Sequence, residues 1–311
     1  MNAKIALSLV PSPLTTPLLD GTVRIDGVAV VPHAAKSVDD NSRAMLGGGF
    51  DVAEMSLATF LRAKDRGAAL IGIPVFPGRR FTHPGIAVRK GAGIAGPRDL
   101  AGRRIGLPQY WLTSSVWHRG VLAHEYGVAP DKVEWITVVP ERGAAAFPNG
   151  VRVTAREGAK IPALLATGEI DAALVPRPVT DAGYGPSAGP IFADVAAAQR
   201  DYLARTHVFP IMHFIVARTA LVAEAPELAG ALMRAFETAK RRALGDPKAR
   251  AGLELPVHGL AMDAALAVFG GDAWPYGLGL NRAVLDTFLG YAHEQGLTRA
   301  RLALDDLFVK D

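Results

Sequence analysis

The sequence predicts an α/β protein of two lobes with a ligand cleft between them. Three observations carry that expectation. Short apolar runs of strand character alternate with stretches of helical period along most of the chain. A first α/β unit breaks off near Lys90, a second follows, and a strand signal at residues 213–218 returns the chain to the first. Residues 1–89 and 210–311 are thus expected to form one lobe and 90–209 an inserted one. Finally, 311 residues of which 50% are hydrophobic supply enough apolar side chain for a large core.

Taken in order, residues 5–10 read as a buried strand, followed by a proline-rich loop from Pro11 to Pro17. A second strand at 28–31 leads to a helix at 38–46, and the triplet Gly47-Gly48-Gly49 reads as its C-terminal cap and turn. Residues 51–56 form a third strand whose polar end, Glu54 and Ser56, points to the carboxyl edge, where open α/β sheets bind ligands. A helix at 57–66 and a nearly uncharged strand at 69–76 come next. The turn Pro77-Gly78-Arg79-Arg80-Phe81-Thr82-His83-Pro84 then precedes a strand at 85–89. Arginine suits bidentate clamping of a carboxylate, so Arg80 is a candidate there, beside His83.

In the second unit, residues 97–100 predict a short helix, 104–107 a strand, 113–126 a helix and 133–139 another strand. The stretch 140–158 reads as loop around a strand at 151–153. A helix at 161–167 stops at Gly168, and a strand at 171–175 presents Arg177. Residues 181–190, rich in Gly, Pro and Ser, read as a lid or hinge flank, and 195–205 as a helix. After the return strand the chain is helical, at 226–244, 260–269 and 281–296, with Trp274-Pro275-Tyr276-Gly277 in a loop.

The stretch from Pro108 to Arg119 concentrates the chemistry. It is a strand-to-helix turn holding Tyr110, Trp111, Thr113, Ser114, Ser115, Trp117, His118 and Arg119. The free N–H groups of a helix's first turn and its dipole favour a carboxylate, and the aromatics suit a flat ligand. The competing reading is core packing, since Trp117 and Val121 are spaced i, i+4.

Composition narrows the function classes. A formal net charge of +4 without a Lys/Arg-rich run interleaved with aromatics does not support nucleic-acid binding, and fits a bias toward small anionic molecules. The chain has no cysteine, which excludes disulfides, thiolate metal sites and a cysteine nucleophile. The apolar run after Lys4 is too short for a signal-peptide core, so a cytoplasmic location is expected, and no uncharged apolar stretch reaches membrane-spanning length. His118 and His124 stand six apart without a carboxylate cluster, so no metal is expected. Apolar positions on the C-terminal helices leave a homo-oligomer open.

Gly49-Phe50-Asp51-Val52-Ala53-Glu54-Met55-Ser56, Asp99-Leu100-Ala101-Gly102-Arg103-Arg104-Ile105-Gly106 and Leu164-Leu165-Ala166-Thr167-Gly168-Glu169-Ile170-Asp171-Ala172 together resemble the type 2 periplasmic-binding-protein fold. More narrowly, Ile73-Pro74-Val75-Phe76-Pro77, Arg80-Phe81-Thr82-His83, Gln109 to Gly120, Pro210-Ile211-Met212-His213 and Trp274-Pro275-Tyr276-Gly277-Leu278 resemble the 4,5-dihydroxyphthalate decarboxylase family. The likeness spans nearly the whole chain. Family members tend to carry an acidic-aromatic-acidic-basic run after the first strand, where this chain has Pro11-Ser12-Pro13-Leu14-Thr15-Thr16. That departure puts 4,5-dihydroxyphthalate itself in question as the substrate.

The resemblance implies non-oxidative decarboxylation of a hydroxylated aromatic acid, without a redox cofactor. An aryl anion is too unstable to leave behind, so the ring carbon bearing the carboxylate must be protonated before CO2 departs. Such a site needs a general acid, an acceptor at the hydroxyl and cations for the carboxylates. His83 and His213 are the acid/base candidates, ahead of His118, with Glu54 for the phenolic hydrogen bond. Arg80, Arg119 and Arg177 are the clamp candidates; Ser56, Tyr110, Thr113, Ser114, Ser115 and Trp117 complete the expected substrate contacts. The rivals are a solute-binding protein for a small carboxylate and a different enzyme on the same fold.

Overall fold

A computed structural model describes residues 3–141, 147–181 and 183–310. Its strands, in chain order, are β1 (Ala3–Leu9), β2 (Val28–Ala34), β3 (Val52–Ser56), β4 (Leu70–Arg79), β5 (Ile86–Arg89), β6 (Arg104–Leu107), β7 (Glu134–Thr137), β8 (Arg152–Ala155), β9 (Ala172–Leu174), β10 (Ala188–Pro190) and β11 (Ile211–Arg218). They form two sheets. One has the order β2-β1-β3-β11-β4 and the other β10-β5-β9-β6-β7-β8. In the first, β1 lies parallel to β2 and β3, while β11 runs antiparallel between β3 and β4. In the second, β6, β7, β8 and β9 are parallel, and β5 is antiparallel to both β9 and β10.

The order of the strands corrects the first lobe boundary. β5 belongs to the second sheet, so the chain crosses over in the turn after Arg79 and not after Arg89. Part of the expected loop at 181–190 is also strand, because β10 pairs with β5 along the edge of that sheet. Residue 182 of that loop, and residues 142–146 of the loop expected at 140–158, lie outside the described residues.

Local chemistry sets the helix ends. Ser37 and Ser56 accept from the backbone N–H of Asp40 and Thr59, capping the helices Val38–Leu46 and Leu57–Lys64, and Asp194 does the same for Val195–Thr206. Gly127 and Gly168 end Thr113–Tyr126 and Ile161–Thr167 in the left-handed region, at φ 72° and 74°. The first lobe's core includes a knot of rings, Phe60, Phe76, Phe214 and Phe308, with centroids 5.0–6.4 Å apart. Phe308 is brought there by the C-terminal tail, which hydrogen-bonds Gly72 of β4 from both sides: Gly72 N–H donates to Leu307 and Val309 N–H donates to Gly72. No helix among the described residues is long and apolar enough to cross a membrane.

Within the second lobe, just before β5, two backbones touch, extending the pairing of β5 with β9. A Cβ added at Gly85 would lie 2.0 Å from the carbonyl oxygen of Val175, and Val175 N–H donates to Gly85 at 2.8 Å. Backbone cannot rotate away as a side chain can. Gly85→Ala is therefore expected to destabilise the fold by about 3 kcal/mol, the upper range for overpacking, read as a lowered urea midpoint at unchanged slope.

Candidate active site

A cavity of about 630 Å³ opens between the lobes. Its floor is the carboxyl end of the first sheet. β3 presents Glu54 there, and β11 presents His213. The two strands are antiparallel neighbours with Ile215 opposite Glu54 and His213 opposite Ser56, so Glu54 and His213 stand diagonally on one face. His213 Nδ1 lies 3.0 Å from Glu54 Oε1, and Glu54 Oε2 accepts from Val10 N–H at 3.0 Å. The carboxylate is 4% exposed, with both oxygens engaged. This pairing places the Nδ1 proton toward Glu54 and leaves Nε2 for a ligand.

The sequence builds this pair locally. Gly78, beside β11, has no side chain, and a Cβ there would sit 2.2 Å from His213 Nδ1. Glycine at that position makes room for the imidazole. Asn41, buried on the helix Val38–Leu46, donates through Nδ2 to the carbonyls of Ser8 and Glu54, tying the ends of β1 and β3 together.

Arginines crowd the walls. Arg80 spans the cleft: Nη1 donates to the Pro176 carbonyl at 2.9 Å, and Nη2 meets Glu254 Oε2 at 3.1 Å. Arg177 lies exposed on the cavity wall contributed by the second lobe. Arg79 is 4% exposed and is held by the Asn281 side chain and the carbonyls of Phe209 and Pro275. Burial lowers its pKa to about 9. Pro11, Ser12, Pro13 and Leu14 add an uncharged stretch of wall, stiffened by Thr15 Oγ1 donating to the Val10 carbonyl at 2.6 Å.

Of the residues singled out from the sequence, the cavity gathers Glu54, His213, Arg80 and Arg177. It does not gather the others. His83 is 1% exposed in an aromatic nest, with ring centroids 5.0 Å from Tyr202 and 5.3 Å from Phe192, and neither ring nitrogen has a hydrogen-bond partner. Burial, with the nearby charges of His118 and Arg205, lowers its pKa to about 3, so it is a neutral core residue.

The Pro108–Arg119 stretch lies away from this cavity, and from Thr113 onward it is core, because the helix it opens lies inside the molecule. Thr113 Oγ1 accepts from Ala58 N–H and pairs with Ser56 Oγ at 2.9 Å. Ser56, in turn, is occupied as a helix cap. Ser114 and Ser115 are buried, and Trp117 Nε1 donates to the Ile211 carbonyl at 2.9 Å while its ring packs on Phe288 and Tyr291. Arg119 is fully buried, donating to Gln295 Oε1 and the Tyr110 carbonyl, with its guanidinium carbon 3.5 Å from the centre of the buried Tyr110 ring. The i, i+4 spacing of Trp117 and Val121 was the informative sign.

Sequence reasoning missed Glu254, His258, Gln199 and Trp274 as cavity residues. Trp274 stood only within a resemblance motif. Glu254 and His258 lie between helices, where no periodicity points at them. Among the described residues there is no cluster of His and carboxylates suited to a metal ion.

Comparison with known proteins places this geometry. A 4,5-dihydroxyphthalate decarboxylase from Comamonas testosteroni is 37% identical over 305 residues, 94% of this chain and 92% of that protein. The chain belongs to the 4,5-dihydroxyphthalate decarboxylase family. A second 4,5-dihydroxyphthalate decarboxylase, from Pseudomonas putida, is 33% identical over 195 residues, covering 60% of this chain and 76% of the other. Residues 12–255 also match the family model described as ABC transporter, phosphonate, periplasmic substrate-binding protein. The periplasmic aliphatic sulphonate binding protein SsuA from Escherichia coli superposes with a TM-score of 0.62 at 12% identity, covering 100% of this chain and 93% of that one. The decarboxylase family is thus built on the two-lobed solute-binding fold, and its cleft is a small-molecule site.

Proposed function

We propose that this chain decarboxylates a hydroxylated aromatic acid, 4,5-dihydroxyphthalate or a relative, by protonating the ring carbon that bears the carboxylate. The observation that carries the reading, within this family, is the Glu54–His213 pair at the floor of an arginine-walled cleft. A carboxylate fixing one imidazole nitrogen leaves the other to deliver and recover a proton. Arg177 is placed to hold a substrate carboxylate, with Arg79 adding buried positive charge to the wall.

A solute-binding role is favoured by the fold and by the family model, and opposed by the named relatives, which are enzymes. Incubation with 4,5-dihydroxyphthalate, following CO2 release and the loss of substrate ultraviolet absorbance, separates the two. Turnover is expected. Binding of aromatic carboxylates, seen as a raised melting temperature, without CO2 would sink the decarboxylase reading in favour of the solute-binding one.

A further inference from the structure

We propose that Glu254 is the group that receives the substrate's phenolic hydroxyl. The inference rests on the decarboxylase reading and assigns a step which that reading leaves without a residue. Ring protonation is driven by electron density pushed from a para hydroxyl, so an acceptor must take that hydroxyl's proton. Only Glu54 and Glu254 supply carboxylates among the described residues of the cavity wall, and no tyrosine lines it. Glu54 is spoken for. Its two oxygens hold His213 Nδ1 and Val10 N–H, and moving either would release the imidazole it orients.

Glu254 is placed differently. One oxygen, Oε2, meets Arg80 Nη2 at 3.1 Å, and half of the side chain's surface remains open. Its segment is anchored across the lobes. Leu253 and Val257 are buried, His258 N–H donates to Gln199 Oε1 at 2.8 Å, and His258 Nε2 lies 3.3 Å from Thr180 Oγ1. Arg80, bonded to Pro176 of the second lobe, fixes the carboxylate from the other side. Both lobes therefore hold Glu254 at the cleft, and Arg80, read from the sequence as a substrate clamp, acts as a positioning residue for it.

The proton accounting closes. The imidazolium N–H bond at His213 breaks as the ring C–H bond forms, and the hydroxyl proton passes to Glu254, leaving a neutral ring ketone that still carries the carboxylate. The C–C bond to the carboxylate then breaks, its electron pair returns to the ring, and CO2 leaves. Glu254 returns its proton to the phenolate oxygen, and His213 recovers one from water. One proton is consumed for each CO2 released.

The test compares dissociation constants for 4,5-dihydroxyphthalate and phthalate, which differ only in the hydroxyls, in the wild type, Glu254→Gln and Glu254→Ala. Taking the ratio cancels any general effect of freeing Arg80. The wild type is expected to prefer the hydroxylated ligand, Glu254→Ala to lose that preference by about tenfold, the equivalent of one charged hydrogen bond, and Glu254→Gln to fall between. The kcat of both variants on 4,5-dihydroxyphthalate should drop by about 100-fold or more, as for loss of a general base. A preference equal in all three proteins, or undiminished kcat in Glu254→Ala, overturns the assignment. Absent wild-type turnover with a preference that Glu254→Ala removes would sink the decarboxylase reading alone and keep Glu254 as the hydroxyl contact. Glu254 is half exposed, so neither variant threatens the fold.

Discussion

His213→Ala is expected to lower kcat on a hydroxylated aromatic acid by about 10²–10⁴-fold, the range for a lost general acid, while the ligand's dissociation constant changes little. The imidazole is one group on the floor of a cavity whose wall charges include Arg79 and Arg177, so binding survives its removal. Glu54→Gln tests the pair from the other side. The amide keeps the volume and a contact to Val10 N–H, but it cannot stabilise the imidazolium. A smaller loss of kcat than in His213→Ala is the expected result. His83→Ala serves as the contrast: per folded molecule it should turn over normally, because His83 does not reach the cavity. Full activity in His213→Ala would remove the pair from the mechanism.

A steep loss of stability in mild acid is the second large effect expected. Burial holds the pKa of His83 at about 3 and that of His118 at about 4, both below the ordinary value of 6.5. For His83 the charges of His118 and Arg205 add to burial, and Asp201 opposes. For His118 burial outweighs its contacts with the Ser114 and Thr82 carbonyls, at 2.7 and 2.9 Å. Above pH 6.5 both residues are neutral in the folded and unfolded chains and contribute no pH dependence. Below it the unfolded chain binds protons that the folded one refuses, so stability falls with falling pH until the folded values are reached. Each histidine steepens that fall by up to about 1.4 kcal/mol per pH unit between pH 6 and 4.5. Urea unfolding at pH 7.5, 6, 5 and 4.5 measures it. His83→Leu should flatten the slope by one histidine's share, and an unchanged slope would mean that His83 is charged in the folded state.

Most of the architecture was legible because it is written in local patterns. The run from Arg104 to Leu107, the helix Thr113–Tyr126 and the stop at Gly168 are set by apolar spacing and a left-handed glycine, and each falls where those signals put it. The misplaced lobe boundary has a physical cause. β5 and β4 read alike as apolar strands, and only pairing partners far along the chain, Ala172 to Leu174, decide which sheet β5 joins. The site was half legible for a related reason. Glu54 and His213 stand at strand ends, where the carboxyl-edge rule finds them, whereas the Pro108–Arg119 stretch has the composition of a site and the burial of a core. Composition does not report which face of a helix looks inward. Glu254 was invisible because its meaning depends on Arg80, far away in sequence and 3.1 Å away in space.

The place of β11 between β3 and β4 has a consequence for how the molecule is made. Every strand of the second sheet lies between Ile86 and Pro190, so that sheet can close as soon as this stretch leaves the ribosome, ahead of the Phe288, Tyr291 and Gln295 contacts that the helix Thr113–Tyr126 makes later. The first lobe cannot. β3 and β4 wait with a strand-wide slot between them until Ile211–Arg218 arrives, and β4 waits longer still for Leu307 and Val309. His213 rides on the strand that fills the slot. The nascent chain therefore carries two unpaired apolar edges from the time Arg79 is made until Arg218 follows, and the proposed proton donor is seated by the same late, long-range insertion that closes the sheet.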